Sequence, residues 1–364
     1  MPLSGGIVGL PNVGKSTVFN ALTAGHAQVQ NYPFCTIDPN HGIVAVPDER
    51  LESIASFSPA EKVVPAMLEL VDIAGLVKGA SHGEGLGNQF LGHIRDVDAV
   101  IHVVRCFDDP DVVHSESGID PVRDVEVVET ELLLKDLETV ERALERVSKA
   151  AGTGDKEARG AEPAFRRAAS ALSEGTPLVS LGRDVVENAR IKQLCPVTAK
   201  PVLYVANVGE EAIAEDTEPV AALGRHAAAR GAGVVKLCAK MEAEIAQLPP
   251  DDRGEFLESM GLQCSGLETL ARRIYELLNL QTFFTTNEKE TRAWPCPRGI
   301  KAPRAAGLIH SDFERGFIRA EVYRLEELEA HGSVAGLRAA GKIRVEGSDY
   351  EVGDGDIILF RFNV

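Results

Sequence analysis

No apolar run in this 364-residue chain approaches the roughly 20 residues that a helix needs to cross a bilayer, and Met1 to Gly6 lacks the basic n-region of a secretory leader. The expectation is a cytoplasmic protein with no membrane partner. The six cysteines, Cys35, Cys106, Cys195, Cys238, Cys264 and Cys296, include no C-x-x-C pair. That argues against a zinc site and fits free thiols in a reducing compartment. There is no internal repeat and no long low-complexity tract. Positive charge is also short: 38 Lys+Arg against 55 Asp+Glu leave a formal charge of −17, which speaks against indiscriminate nucleic-acid binding. The deficit is uneven, because Gln281 to Val364 carries only −1 and the first 280 residues carry −16. Between Lys289 and Arg304 the cations Lys289, Arg292, Arg298, Lys301 and Arg304 meet one acid, Glu290. This patch beside Trp294 is the place where an RNA contact is expected.

What is present is a chain long enough for two or three domains, with 44% hydrophobic and 26% charged residues, ordinary values for a globular protein. Its most informative stretch is Gly9 to Ser16, GLPNVGKS, a phosphate-binding loop of the form G-x-x-x-x-G-K-[ST]. The apolar Ile7 and Val8 precede it, and a helix-like segment from Thr17 follows. Glycines at both ends let the backbone wrap around a polyphosphate, with amide N–H groups and the helix N-terminus aimed at negative charge. Asn12, Val13, Gly14, Lys15, Ser16 and Thr17 are the expected nucleotide contacts. Lys15 reaches the β- and γ-phosphates, and Ser16 offers its hydroxyl to Mg²⁺.

Two further segments fit the same chemistry. The run Met67 to Val71 ends in Asp72-Ile73-Ala74-Gly75, which places Asp72 to hold Mg²⁺ through water and the Gly75 N–H to approach the γ-phosphate. Thr36 lies between the phosphate loop and this segment, where Mg²⁺-dependent switch proteins keep a second hydroxyl ligand. Position 76 is Leu, whereas Ras-like enzymes have there a Gln that orients the attacking water. His114, in a stretch rich in acids and turn formers, is the candidate to orient water instead. The side-chain carbonyl of Asn12 could help hold a monovalent cation, K⁺ being the candidate, near the β/γ bridge.

Base recognition rests on Asn207-Val208-Gly209-Glu210, after the strand-like PVLYVA (Pro201 to Ala206). Guanine-specific proteins of this class carry N-K-x-D there, whose Asp accepts from guanine N1–H and the 2-amino group. A longer Glu210 moves the carboxylate, and Val208 removes the Lys stem over the base. Asn207, with a donor and an acceptor, can serve adenine N6 and N7. The pattern leans towards ATP, with GTP as the alternative.

Apolar runs at Ile7 to Val8, Gly42 to Val46, Met67 to Val71 and Ala99 to Val104 alternate with helix-like stretches. This is the pattern of an α/β fold with a mostly parallel sheet. From Val122 the pattern turns helical, with Leu133, Leu137, Val140, Leu144 and Val147 on one stripe suited to pairing with another helix. A break at Gly152-Thr153-Gly154 and a second helical stretch, Ala161 to Leu172, predict an inserted coiled-coil hairpin. The sheet resumes at Pro201 to Ala206 and Gly233 to Leu237. After a helix-like Leu267 to Leu278, short strands at Lys342 to Val345, Tyr350 to Val352 and Ile357 to Phe362 suggest a small α+β unit.

Together, GLPNVGKSTVFNALT (Gly9 to Thr23), NYPFCTIDPN (Asn31 to Asn40), VDIAGLVKGASHGEGLGNQFL (Val71 to Leu91) and the N-x-x-E of Asn207 and Glu210 resemble the YchF subgroup of Obg-type P-loop NTPases, over essentially the whole chain. Ala305 to Val322 and Asp354 to Val364 are similar to that family's TGS domain, a ubiquitin-like β-grasp unit. The resemblance implies an ATPase with a hydrophobic residue in place of the catalytic Gln, a helical insertion, and association with the ribosome, either its large subunit or the whole particle. The expected organisation is a nucleotide-binding domain over 1–121 and 201–278, a helical hairpin over 122–200 and a TGS domain over 279–364. The expected activity is that of a Mg²⁺-dependent ATPase working as a slow switch. Its rivals are a GTPase of the same fold and a nucleotide-gated scaffold whose hydrolysis is incidental.

Overall fold

The structure, a computed structural model, describes residues 3–24, 40–73, 94–109 and 118–363. Along the chain run β1 Ser4–Val8, β2 His41–Val46, β3 Lys62–Val64, β4 Ala66–Asp72, β5 Ala99–Arg105, β6 Val202–Asn207 and β7 Gly233–Leu237. They are followed by β8 Leu280–Thr286, β9 Glu290–Pro297, β10 Phe317–Tyr323, β11 Arg344–Glu346 and β12 Ile357–Phe362. The chain divides into two compact units, Met1–Gly42 with Glu69–Leu270, and Ile43–Leu68 with Ala271–Val364.

The first sheet has the order β2-β4-β1-β5-β6-β7. β1 is parallel to β4 and β5, and β6 is parallel to β5 and β7. Every residue of β5 is buried, as its unbroken apolar run requires in a sheet covered on both faces. Because these strands are parallel, their last residues, Val8, Asp72, Arg105, Asn207 and Leu237, come to one edge, where α/β folds place their ligands. His102, wholly buried on β5 with its ring 5.7 Å from that of Tyr204, has its pKa lowered to about 3 by burial and, secondarily, by nearby His226.

The helical insertion forms as the stripe implies. Helix Pro121–Gly152 starts with Pro at its first position, where no N–H is needed, and with the Asp120 side chain accepting from the Arg123 N–H. A short turn leads to helix Lys156–Ser173, capped by Asp155, which accepts from the Ala158 N–H at 3.0 Å. Val140 and Val147 are buried against Ala158, Ala161, Phe165 and Leu172, with Leu133, Leu137 and Leu144 packed alongside. Two acids fasten the long helix to its surroundings. Asp136 accepts from the Val197 N–H at 3.1 Å and from the Thr198 N–H and hydroxyl at 2.7 Å each, while burial raises its pKa above the usual carboxylate range. Glu129 accepts from the buried Tyr204 hydroxyl and meets Arg230 at 2.8 Å.

The second unit is built on a mixed sheet, β11-β10-β12-β8-β9-β3. β10 is antiparallel to β11 and β12, β8 is antiparallel to β9, and β12 runs parallel to β8. Helix Ala302–Ile309 covers one face, burying Ala302, Ala305 and Ala306 against Phe283, Val322 and Phe360, the arrangement of a β-grasp. Its sixth strand was not foreseen: Lys62, Val63 and Val64 pair with Glu290, Thr291 and Arg292. Tyr350 to Val352 is a turn with one bridge, Lys301 to Glu351, and not the expected strand. The basic stretch is also less bare than its sequence suggests. Arg292 donates to Glu290 at 2.9 Å, Lys301 to Asp349 at 3.1 Å, and Arg304 lies 3.3 Å from Glu314.

Candidate nucleotide site

The turn after β1 is forced into shape by two close approaches. A Cβ on Gly9 would stand 2.6 Å from the Val103 carbonyl oxygen, and one on Gly14 would stand 2.2 Å from Asn207 Nδ2. Gly14 also has φ +89°, and Asn12 has φ +61°, left-handed values that glycine and asparagine tolerate best. Helix Lys15–Ala24 then begins with its first N–H groups unpartnered within the helix, as any helix N-terminus must. Ser16 and Thr17 are exposed there.

The Lys15 ammonium pairs with the Asp72 carboxylate. Both lie beside the loop, with side chains only 10% and 18% exposed. Two groups expected to serve the phosphates and Mg²⁺ are thus brought together. Thr36, Gly75, Leu76 and His114 lie outside the described residues.

Asn207 has a role that its sequence context did not reveal. Its amide donates to the Val13 carbonyl at 2.9 Å and accepts from the Ala239 N–H at 2.9 Å, and the residue is 3% exposed. The amide that the sequence reading offered to adenine is turned into the protein, where it clamps the phosphate loop to the turn after β7. Val208 is buried, and its N–H donates to the Leu237 carbonyl. The Glu210 carboxylate accepts from Lys240 at 2.9 Å on the rim, and this raises the lysine pKa. Between rim and loop lies a cavity of about 900 Å³ whose lining includes Lys15, Ser16, Phe107, Val208, Glu210 and Lys240.

Arg105 was also missed. At the end of β5 it is 2% exposed, lies 4.6 Å over the Phe107 ring and donates to the Phe107 and Asp109 carbonyls at 3.2 Å each. It thereby holds the 107–109 segment against the cavity. An arginine closing a strand that is apolar except for His102 was the available signal. Cys238, which also lines the cavity, is buried and its thiol pKa is raised, chiefly by desolvation.

Comparison with known proteins bears on the family and the fold. Residues 4–142 match the model of a family described as 50S ribosome-binding GTPase, and residues 280–363 match YchF-GTPase_C, described as a protein of unknown function. A relative from Bacillus subtilis, named ribosome-binding ATPase YchF, is 51% identical over 366 residues and covers all of both chains. A relative of the same name from Escherichia coli O157:H7 is 48% identical over 359 residues, covering 99% of each. The solved structure of the Schizosaccharomyces pombe YchF GTPase superposes with a TM-score of 0.88 at 36% identity, covering 99% of this chain and 97% of that one. With a P-loop domain, a helical insertion and the C-terminal unit all accounted for, the chain belongs to the YchF family.

Proposed function

We propose that this protein is a Mg²⁺-dependent ATPase that acts as a nucleotide-controlled switch on the ribosome. The observation that carries the reading is the cavity itself, which joins a phosphate-loop cradle lined by Lys15, whose ammonium pairs with Asp72, to a rim made by Val208, Glu210 and Lys240. The full-length relatives named ribosome-binding ATPase support the ATP and ribosome assignments.

The phosphates lie along the loop N–H groups from Asn12 to Thr17. Lys15 exchanges Asp72 for the β- and γ-phosphates and offsets the charge that develops during transfer. The residues fit Mg²⁺: the exposed Ser16 hydroxyl would hold it directly, the Asp72 carboxylate would hold it through water once Lys15 turns to the phosphates, and Thr36 would supply the second hydroxyl. When bound, the ion neutralises phosphate charge and fixes the γ-phosphate for attack. Gly75 supplies a further N–H, His114 orients water, and Asn12, on the loop, helps hold K⁺.

The base lies near Phe107. Glu210, engaged by Lys240 and 53% exposed, is poorly placed to accept two bonds from guanine, and this supports adenine. The GTP reading is favoured by the names of the matched family model and of the S. pombe structure. Titration of ATP, GTP and ADP against the purified protein, with and without ribosomes, tests both. Association with the large subunit, or with the whole particle, is the partner assignment. The paired cations of the 289–304 stretch make it a weaker RNA contact than its sequence implies.

A further inference from the structure

On β10 and β12, Ala320, Val322, Ile358 and Phe360 point beneath helix Ala302–Ile309. The residues between them face the opposite side. There the cross-strand register places Val345, Glu321 and Leu359 side by side in one row and Arg319 opposite Arg361 in the next. Val345 is 64% exposed and Leu359 is 41% exposed. Glu321, 9% exposed, accepts from Arg361 at 3.0 and 3.2 Å and from Arg319 at 3.4 Å, with Arg338 3.7 Å away. One carboxylate thus spaces three guanidinium groups whose side chains stay largely in solvent. The cluster has a local excess of two positive charges, in a chain whose formal charge is −17.

Two aliphatic side chains ringed by arginines have the make-up of a protein interface, where Arg is enriched and the centre is apolar. Holding the arginines on Glu321 also lowers the entropy lost when a partner binds. Single-stranded nucleic acid needs rings on which bases stack, and these two rows contain none. We propose that this face docks an acidic, amphipathic segment of a ribosomal protein. Carboxylates of that segment lie over Arg319, Arg338 and Arg361, and its aliphatic residues lie on Val345 and Leu359. The proposal rests on the ribosome-association reading above.

The test uses the full chain and purified 70S ribosomes. Val345→p-benzoylphenylalanine is irradiated on the ribosome, and the adduct is treated separately with ribonuclease and protease. In parallel, Val345→Asp and Arg338→Glu are compared with wild type by co-sedimentation. The expected result is an adduct that survives ribonuclease and maps to an acidic protein segment. Each variant should bind about tenfold more weakly, with unchanged melting and unchanged ATP turnover in the absence of ribosomes. An adduct with ribosomal RNA, or wild-type binding by both variants, overturns the proposal. If wild type itself fails to sediment with ribosomes, the association reading fails and this proposal with it.

Discussion

Asn207→Ala removes the clamp between the phosphate loop and the turn after β7. The two hydrogen bonds lost are 2.9 Å each and belong to a residue that is 3% exposed. The Val13 carbonyl and the Ala239 N–H are then left without that partner. An unsatisfied buried polar group costs about 1–3 kcal/mol, so the variant, with two such groups, should lose about 2–6 kcal/mol, partly in folding and partly in nucleotide binding. If about 1.4 kcal/mol of this falls on binding, the ATP Kd rises about tenfold. Glu210→Gln is the control, because it breaks an exposed ion pair on the same rim and should cost under about 1 kcal/mol. Urea unfolding measures the first share, and titration with a fluorescent ATP analogue measures the second. Asn207→Ala unfolding within about 0.5 kcal/mol of wild type, a difference ordinary for surface changes, while binding ATP as tightly as wild type, would refute the clamp.

Lys15→Ala should weaken triphosphate binding by about 1.5–3 kcal/mol, or roughly 10- to 150-fold, with the circular dichroism spectrum unchanged; isothermal titration checks it, and wild-type affinity would remove the phosphate-loop assignment. The neutral imidazole of His102, with its pKa near 3 in the fold and about 6.5 when unfolded, makes the unfolded state take up the extra proton below pH 6.5. Stability should therefore fall by about 2 kcal/mol between pH 6.5 and pH 5 from this group, and His102→Gln should lose that much less; equal pH dependence of the two urea midpoints would contradict it. Glu210→Asp with Val208→Lys should shift the ATP:GTP affinity ratio towards GTP, and competition binding showing the wild-type ratio would break the link between the rim and base choice.

The phosphate loop was legible because its chemistry is written in eight consecutive residues, and the hairpin because its apolar stripe is periodic. Pairings distant in sequence were not legible. The partners of Asn207 lie 194 and 32 residues away, and nothing local marks an asparagine that faces inward from one that faces a base. β3 is only three residues long, and its partner strand begins at Glu290. The Ile43–Leu68 segment therefore joins the C-terminal unit without any compositional sign. A cut at residue 280 would strip β3 of its partner strand β9, which makes point variants the cleaner probe of the C-terminal unit. Tyr350 to Val352 read as a strand, yet the buried Asp356 accepts from the Tyr350 hydroxyl at 2.6 Å and from the Gly353 N–H at 2.7 Å, which holds the chain in a turn. The carboxylates that pair with Lys301 and Arg304 are 48 and 10 residues distant, so the basic stretch looked bare.

On the proposed function, the cavity between Lys15 and Lys240 selects ATP and couples it to the ribosome. Its most direct measurement is a competition titration in which ATP and GTP displace a fluorescent adenine nucleotide from the purified protein, alone and with 70S ribosomes present. The expected result is displacement by ATP at a concentration at least about tenfold below that for GTP, the equivalent of about 1.4 kcal/mol, with ribosomes altering the ATP curve. Equal displacement by both nucleotides, or tighter GTP binding with no response to ribosomes, would contradict it.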